Sequence, residues 1–302
     1  RLSLVGSEMC IRDRSMTPAR QLGNLIASGD IVMAPGAPDA LTARLVERAG
    51  FPAVYMTGFG ATAVRLGMPD IGLLSQTEMT AHARNMALAT RIPIIADADT
   101  GYGGPSNIHR TVREYVQAGV AAIHLEDQVA PKRCGQMAGI RLMDMAESGK
   151  RLRCALAARG SDELLVIGRT DALPAQGLDE AVRRAHHYRE CGVDLVFVDG
   201  VKKIAEIEAI ARAVPGPKVV SIVDGNETTQ LTAKDLQELG FSVVLYAVTT
   251  LFTAVHAVSQ ALAGLQRHGT PAASAASQID YAGFTERVDL DFHKDLDDRY
   301  GV

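Results

Sequence analysis

The chain passes from a strand into a charged loop within the stretch Ile123-His-Leu-Glu-Asp-Gln-Val-Ala-Pro-Lys-Arg-Cys-Gly135. Its apolar beginning is typical of a buried strand, and its end places Lys132 and Arg133 beside the thiol of Cys134. Positive neighbours lower the pKa of a thiol, so the sequence predicts a reactive cysteine here. Gly135 follows at once, where the backbone can turn sharply or approach a ligand. The alternative interpretation is a basic surface loop with an incidental cysteine.

A second acidic segment lies upstream, in Ile94-Ile-Ala-Asp-Ala-Asp-Thr-Gly-Tyr-Gly-Gly104. Its apolar run predicts a buried strand followed by Asp97 and Asp99. Alternate residues of a strand face the same side, so both carboxylates can point into one pocket. Mg²⁺ is held in proteins by a few carboxylates and waters, and Glu126-Asp127 at the next strand end adds further acids. The sequence therefore predicts a Mg²⁺ site, although a solvated turn has a similar composition.

Segments of strand length alternate along the chain with segments of helical spacing. Strands are predicted at 31–34, 53–56, 94–98, 122–126, 165–169, 195–199, 218–222 and 243–246. Helices are predicted at 39–49, 76–90, 108–118, 178–191, 204–214 and 233–239, several of them ending at glycine. This alternation indicates a closed, parallel (β/α)₈ TIM barrel, with a doubly wound open sheet as the alternative. In such a barrel the catalytic groups lie at the C-terminal ends of the strands.

Composition narrows the class of protein. The 302 residues carry a net charge of −4, which offers no basic surface for nucleic acid. No apolar stretch approaches the roughly 20 residues of a membrane span, and four widely spaced cysteines are typical of a reducing, cytoplasmic location. Residues 1–15 are expected to be a non-native extension before a natural start at Met16. Residues 16–302 are predicted to form a single barrel domain with a C-terminal arm.

Six ordered motifs resemble the isocitrate lyase/phosphoenolpyruvate mutase superfamily. They are Tyr55-Met-Thr-Gly-Phe-Gly60, Gly67-Met-Pro-Asp-Ile-Gly72, Asp97-Ala-Asp-Thr-Gly-Tyr-Gly103, Leu125-Glu-Asp-Gln128, Lys132-Arg-Cys-Gly135 and Gly168-Arg-Thr-Asp171. The resemblance implies a (β/α)₈ barrel whose C-terminal helix is swapped between the subunits of a homodimer or homotetramer. It also implies Mg²⁺, with Mn²⁺ as a possible substitute, and C–C or C–P bond chemistry on small 2-hydroxy or 2-oxo acids.

The resemblance also assigns roles by position. It implies metal binding by Asp97, Asp99, Glu126 and Asp70. It implies substrate binding by Tyr55, Thr57, Gly58, Arg133 and Gly135. It implies catalysis by Cys134, Lys132 and Arg169, with Cys134 as the general acid that protonates a carbanion after retro-aldol cleavage.

Three positions depart from the family pattern. Gln136 stands where lyases usually carry His, Asp199 where Glu is common, and Ser221 where Asn is common. These changes argue against classic isocitrate or 2-methylisocitrate cleavage and favour a smaller or less charged substrate, such as an alkylated malate or oxaloacetate. The expected reaction is C–C cleavage of a 2-hydroxy dicarboxylate, an alkylmalate or a methylisocitrate-like acid. The alternatives are an oxaloacetate-type decarboxylase, C–P chemistry as in a phosphonomutase or phosphonopyruvate hydrolase, and a degenerate, non-catalytic site.

Overall fold

The computed structural model describes residues 16–301. The chain divides into one compact unit that reaches to Val248 and a second that begins at Thr249. The extension predicted at residues 1–15 lies outside the described residues. Within the described range, no helix combines the length and the apolar character needed to cross a membrane.

The first unit is built on a closed barrel of eight parallel strands in chain order. The strands are β1 Val32–Ala37, β2 Val54–Met56, β3 Ile94–Asp97, β4 Ala122–Glu126, β5 Leu165–Thr170, β6 Leu195–Val198, β7 Lys218–Ile222 and β8 Val243–Tyr246. The barrel closes where β8 pairs with β1, with Val32 opposite Val243. The predicted TIM barrel is confirmed, and the open-sheet alternative is wrong.

Helices follow the strands along the chain and surround the barrel. They are α1 Pro18–Ala27, α2 Ala40–Arg48, α3 Gly58–Leu66, α4 Gln76–Ala89, α5 Pro105–Ala118, α6 Met145–Arg159, α7 Ala172–Gln176, α8 Leu178–Glu190, α9 Ile204–Ala213 and α10 Ala233–Glu238, with a 3₁₀ turn at Glu227–Gln230. All six predicted helices are confirmed, whereas α1, α3, α6 and α7 were not predicted. The buried face of α6 contains small residues such as Ser148, Gly149 and Ala155, so its apolar periodicity is weak.

Capping sets the helix boundaries. Ser75 and Glu78 form a reciprocal capping box at the start of α4. Gly119 ends α5 with φ of 85°, a left-handed conformation that glycine adopts without steric cost.

Strand alternation sorts the core into two layers. Residues such as Tyr55, Ile95 and Val219 fill the barrel interior, while Ile94, Val220 and others pack outward against the helices. At the C-terminal ends of the strands the inward positions are polar, and they include Asp97, Glu126, Arg169 and Asp199, all buried. This alternation determines which of two adjacent carboxylates belongs to the site.

The second unit is helical. It contains α11 Thr249–His268, a 3₁₀ turn at Pro271–Ser277, α12 Tyr281–Arg287 and α13 Leu290–Tyr300. The C-terminal arm is thus ordered into helices, and α11 exposes apolar side chains at helical spacing, Phe252, Val255, Val258, Leu262 and Leu265. Exchange of this segment between subunits stays a prediction.

Candidate active site

Lys132 lies between two buried acids. Its Nζ is 2.6 Å from Asp70 Oδ1 and 2.8 Å from Asp99 Oδ1, and only 4% of the residue is exposed. Burial raises the pKa of Asp99 to about 6 even though Lys132 opposes the shift. Asp99 lies beyond the end of β3 with φ of 46°, so the loop, and not strand alternation, brings it beside Asp97. The Asp99 N–H donates to Asp97 Oδ1 at 2.9 Å and fixes the pair.

Arg169 forms ion pairs with three further acidic side chains. Its Nη2 lies 2.7 Å from Asp199 Oδ2, 2.8 Å from Asp171 Oδ1 and 3.3 Å from Glu126 Oε2. Glu126 and Arg169 are direct neighbours in the β4–β5 ladder, so the sheet register itself sets this contact. The guanidinium also lies 5.5 Å from the centre of the Phe197 ring. Arg169 therefore stays positively charged, and its planar guanidinium group lies at the C-terminal ends of the strands.

Glu126 is held without ordinary hydrogen bonds. Among the described residues, neither of its carboxylate oxygens has a hydrogen-bond partner, although both are buried. Burial raises the pKa of Glu126 well above its usual range, and Arg169 compensates only in part. A buried carboxylate with free lone pairs is suited to receive a cation, a water or a substrate hydroxyl.

Asp127, the next residue, faces the opposite way. Its carboxylate accepts hydrogen bonds from Thr170 Oγ1 at 2.7 Å, Tyr188 Oη at 2.7 Å and Arg184 Nη1 at 3.1 Å, while the Asp171 N–H donates at 3.0 Å. It therefore joins β4, β5 and α8 outside the barrel interior. The sequence pattern grouped Glu126 with Asp127, but the strand places them on opposite faces.

His124 was not predicted as a site residue. It is fully buried, its Nε2 lies 3.1 Å from Tyr55 Oη, and its Nδ1 lies 3.6 Å from Asp97 Oδ1. Burial lowers the pKa of His124 to about 4, so the ring is neutral at pH 7. His124 supports Asp97 and Tyr55 from inside the barrel. Its position two residues before Glu126 was the available signal, since both share the inward face of β4.

The loop of Lys132, Cys134 and Gly135 packs onto the cluster. The Cys134 N–H donates to the Asp70 carbonyl at 3.1 Å. A Cβ on Gly135 would lie 2.4 Å from Asp199 Oδ2 and 2.7 Å from Asp171 Oδ1, so only glycine allows this approach. The expected low thiol pKa is wrong, because burial raises the pKa of Cys134 to about 11. The thiol is therefore protonated at neutral pH, as a proton donor must be.

The structure places the predicted substrate-binding residues in two groups. Tyr55 contacts His124, Thr57 is the N-cap of α3, and the Gly58 N–H donates to Asp97 Oδ2 at 3.2 Å. Arg133, in contrast, is exposed, and its Nη1 donates to the Ala138 carbonyl at 3.2 Å. A substrate role for Arg133 stays a prediction that the geometry does not favour.

The departures from the family pattern have different surroundings. Gln136 Oε1 accepts from Asn226 Nδ2 at 3.2 Å, and its carbonyl accepts from Lys202 Nζ at 3.4 Å. Gln136 thus connects the cysteine loop to the segments that follow β6 and β7. Asp199 pairs with Arg169, and Ser221 is buried in β7.

The donor set fits Mg²⁺ better than a metal with an all-protein cage. Within residues 16–301, no three His, Cys, Asp or Glu side chains converge closely enough to form such a cage. Mg²⁺ commonly uses one or two carboxylates and completes its shell with waters and substrate oxygens. Asp97, Asp99 and Glu126 supply only oxygen donors, and the unsatisfied oxygens of Glu126 leave room for such a shell. These residues, with Asp70, could therefore hold the ion.

A cavity of about 490 Å³ adjoins this cluster. Asp99 and Lys132 form part of its wall, and Tyr102, Asn107 and Arg110 line it further out. The buried ion pair is therefore in contact with a space large enough for a small acid.

A parallel barrel with a buried acid–cation cluster at the C-terminal ends of its strands is the architecture of a TIM-barrel enzyme. A family model described as phosphoenolpyruvate phosphomutase matches residues 22–266. The chain belongs to the isocitrate lyase/phosphoenolpyruvate mutase superfamily.

Individual relatives cover nearly the whole chain. A 2,3-dimethylmalate lyase of Eubacterium barkeri is 37% identical over 95% of this chain and 99% of its own length. A crystal structure of 2,3-dimethylmalate lyase superimposes with a TM-score of 0.89 at 34% identity, covering 95% of this chain and 96% of the other.

Two solved structures represent other reactions. Oxaloacetate acetylhydrolase, bound to 3,3-difluorooxalacetate, has a TM-score of 0.89 at 32% identity and covers 94% of this chain and 97% of its own. Phosphonopyruvate hydrolase, solved with oxalate and Mg²⁺, has a TM-score of 0.85 at 32% identity and covers 94% and 99%.

The two adjacent carboxylates of β4 should respond differently to neutralisation. Asp127→Asn should lower the free energy of unfolding by about 3–5 kcal/mol, because it breaks a buried, hydrogen-bonded ion pair. Glu126→Gln is the matched control, and it should leave stability nearly unchanged, because Glu126 has no hydrogen-bond partner and Arg169 keeps its closer pairs with Asp171 and Asp199. Urea unfolding of both variants measures the difference. Equal losses would contradict the assignment of Asp127 to structure and Glu126 to the site.

The raised pKa of Cys134 predicts its reactivity. Only the thiolate attacks iodoacetamide, so the alkylation rate should rise about tenfold per pH unit from pH 7 to pH 10 without levelling off. Peptide mass spectrometry reports the rate at each cysteine, with Cys154 as the internal comparison. A plateau below pH 9 would show that Lys132 and Arg133 do stabilise the thiolate.

Proposed function

We propose that this protein is a Mg²⁺-dependent carbon–carbon lyase that cleaves a 2-hydroxy dicarboxylate into a 2-oxo acid and a carboxylate. An alkylmalate or a methylisocitrate-like acid is the expected substrate. The observation that carries the proposal is the position of Cys134, whose N–H donates to the Asp70 carbonyl at 3.1 Å on a loop anchored through Lys132 to Asp70 and Asp99. A lyase needs a proton donor to quench the carbanion that the bond cleavage leaves.

Different residues of the chain are assigned to different steps of the reaction. The Arg169 fork and the positive charge of Lys132 bind carboxylate oxygens and oppose the negative charge that develops on cleavage. Asp99 or Glu126, whose pKa values are raised by burial, can accept the hydroxyl proton. The C2–C3 bond then breaks, and the Cys134 thiol donates its proton to the new carbanion. When held by Asp97, Asp99, Glu126 and Asp70, Mg²⁺ would acidify the substrate hydroxyl.

The relatives support this assignment. The 2,3-dimethylmalate lyase shares 37% of its residues with this chain, and its name describes an alkylated malate as substrate. Gly135 brings the backbone of the cysteine loop against Asp199 and Asp171, and the adjoining cavity of about 490 Å³ has room for a small acid of this kind.

A second candidate is chemistry on oxaloacetate. It is supported by the similarity to oxaloacetate acetylhydrolase, and decarboxylation would require Arg169 and the metal but not the thiol. C–P chemistry, as in the similar phosphonopyruvate hydrolase, is less favoured, because those branches of the family usually place another residue at the position of Cys134.

Assembly into a homodimer or homotetramer is part of the proposal. The apolar side chains exposed along α11, among them Val255, Val258 and Leu262, form a face that a second subunit could cover. Sedimentation velocity of the full chain measures the state directly.

Activity should depend on a divalent cation. The purified protein, tested with 2,3-dimethylmalate, 2-methylisocitrate, malate and oxaloacetate, should release a 2-oxo acid from an alkylated substrate when Mg²⁺ or Mn²⁺ is present. EDTA should abolish the release and added Mg²⁺ restore it, because the clustered carboxylates need a cation to bind substrate oxygens. Full turnover in chelator-treated protein would contradict the metal assignment.

Removal of the proton donor should slow the lyase reaction. Cys134→Ser should lower kcat by about 10²–10⁴-fold, the usual contribution of a general acid, while the affinity for Mg²⁺ stays nearly unchanged. Cys154→Ser is the matched control, since that thiol donates to the Pro105 carbonyl away from the cluster. Wild-type turnover by Cys134→Ser would remove the thiol from the mechanism and favour the oxaloacetate candidate.

A further inference from the structure

Two cations meet at the end of the barrel opposite the active site. Lys218 is the first residue of β7, and it faces the helix layer together with Val220 and Ile222. Only 5% of the residue is exposed. Its Nζ lies 3.5 Å from the Gly216 carbonyl and 5.5 Å from the centre of the Phe241 ring. The ammonium is thus buried with one weak hydrogen bond and an aromatic face.

Arg189, in the last turn of α8, lies beside the same loop. A Cβ on Gly216 would lie 2.4 Å from both Nη1 and Nη2 of Arg189, so the guanidinium rests directly on the glycine. Its Nη1 is buried and has no hydrogen-bond partner among residues 16–301. No ion pair found in that range includes Lys218 or Arg189, in contrast to Lys132 and Arg169.

This arrangement is unfavourable without a counter-charge. Burial of an unpaired cation is costly, and the neighbouring Arg189 adds repulsion. Burial and this repulsion together lower the pKa of Lys218. Arg189 Nη1 stays without a hydrogen-bond partner in the described chain.

Two exposed glycines lie directly beside the buried ammonium. Gly216 and Gly240 lie on the surface with φ of 75° and 82°, and a Cβ on Gly240 would come within 3.6 Å of Lys218 Nζ. Neither residue carries a side chain that would cover the amine. No side chain of these two residues therefore separates the amine from the surface.

We propose that Lys218 and Arg189 bind a small oxyanion, a carboxylate or phosphate group, at the base of the barrel. The guanidinium supplies a planar pair of donors and the ammonium a further donor, a combination that matches both kinds of group. The bound anion neutralises two cations that the protein otherwise leaves unpaired, and it links α8 to the start of β7. This site is independent of the lyase assignment, because it shares no residue with the catalytic cluster.

Thermal unfolding of the full chain tests the site. At constant ionic strength, replacement of chloride by inorganic phosphate or by acetate should raise Tm saturably, because a ligand that binds only the folded state stabilises it. If phosphate raises Tm at a lower concentration than acetate does, the site prefers phosphate groups. The reverse order indicates a preference for carboxylates. Lys218→Met should melt higher than wild type in chloride and should lose the anion response. Lys234→Met, an exposed lysine of α10, is the matched control and should keep the response.

Arg189→Gln provides a second measurement in case Lys218→Met does not fold. It should weaken the apparent affinity for the effective anion at least tenfold in calorimetric titration, while turnover in chloride stays at the wild-type value. Binding of anions at the active site would persist in both variants and is thereby separated from the new site. An equal anion response in wild type and Arg189→Gln, or none in wild type, would overturn the proposal.

Discussion

The site depends on two buried cations that hold together carboxylates which would otherwise repel one another. Lys132 pairs with Asp70 and Asp99, while Arg169 pairs with Glu126, Asp171 and Asp199. Five acids so close together could not all ionise in a buried environment without these partners. The strand ends, the loop after β3 and the cysteine loop all meet at this network, so its charge balance constrains each of them.

The barrel separates structural from functional charge through strand alternation. Asp127 faces the helices and has all of its acceptors engaged, which stabilises the junction of β4, β5 and α8. Glu126, one residue earlier, faces inward, and apart from the 3.3 Å ion pair with Arg169 neither of its oxygens is hydrogen-bonded within the described chain. The inward residue thus carries an energetic cost that a purely structural role does not explain, a pattern common at functional sites.

The thiol shows how burial can outweigh local charge. Lys132 and Arg133 adjoin Cys134 in the sequence, yet Lys132 is occupied by two carboxylates and Arg133 points to the surface. Neither cation is left to stabilise a thiolate, and burial keeps the sulfur protonated. The same contacts that disfavour the thiolate leave a protonated thiol, which is the form required for the general-acid role that the family resemblance implied for Cys134.

The sequence alone determined the barrel, the order of its strands and the residues at their C-terminal ends, because hydrophobic periodicity and glycine caps are local signals. It also identified Asp97, Glu126 and Arg169, since polar residues that end apolar runs stand out. Only the tertiary structure decided the surroundings of Asp127, His124 and Arg133 and the burial that raises the pKa of Cys134. These properties depend on which strand face points into the barrel and on which charged groups lie nearby in space. Many of those groups come from segments far apart in the sequence, so local sequence patterns do not reveal them.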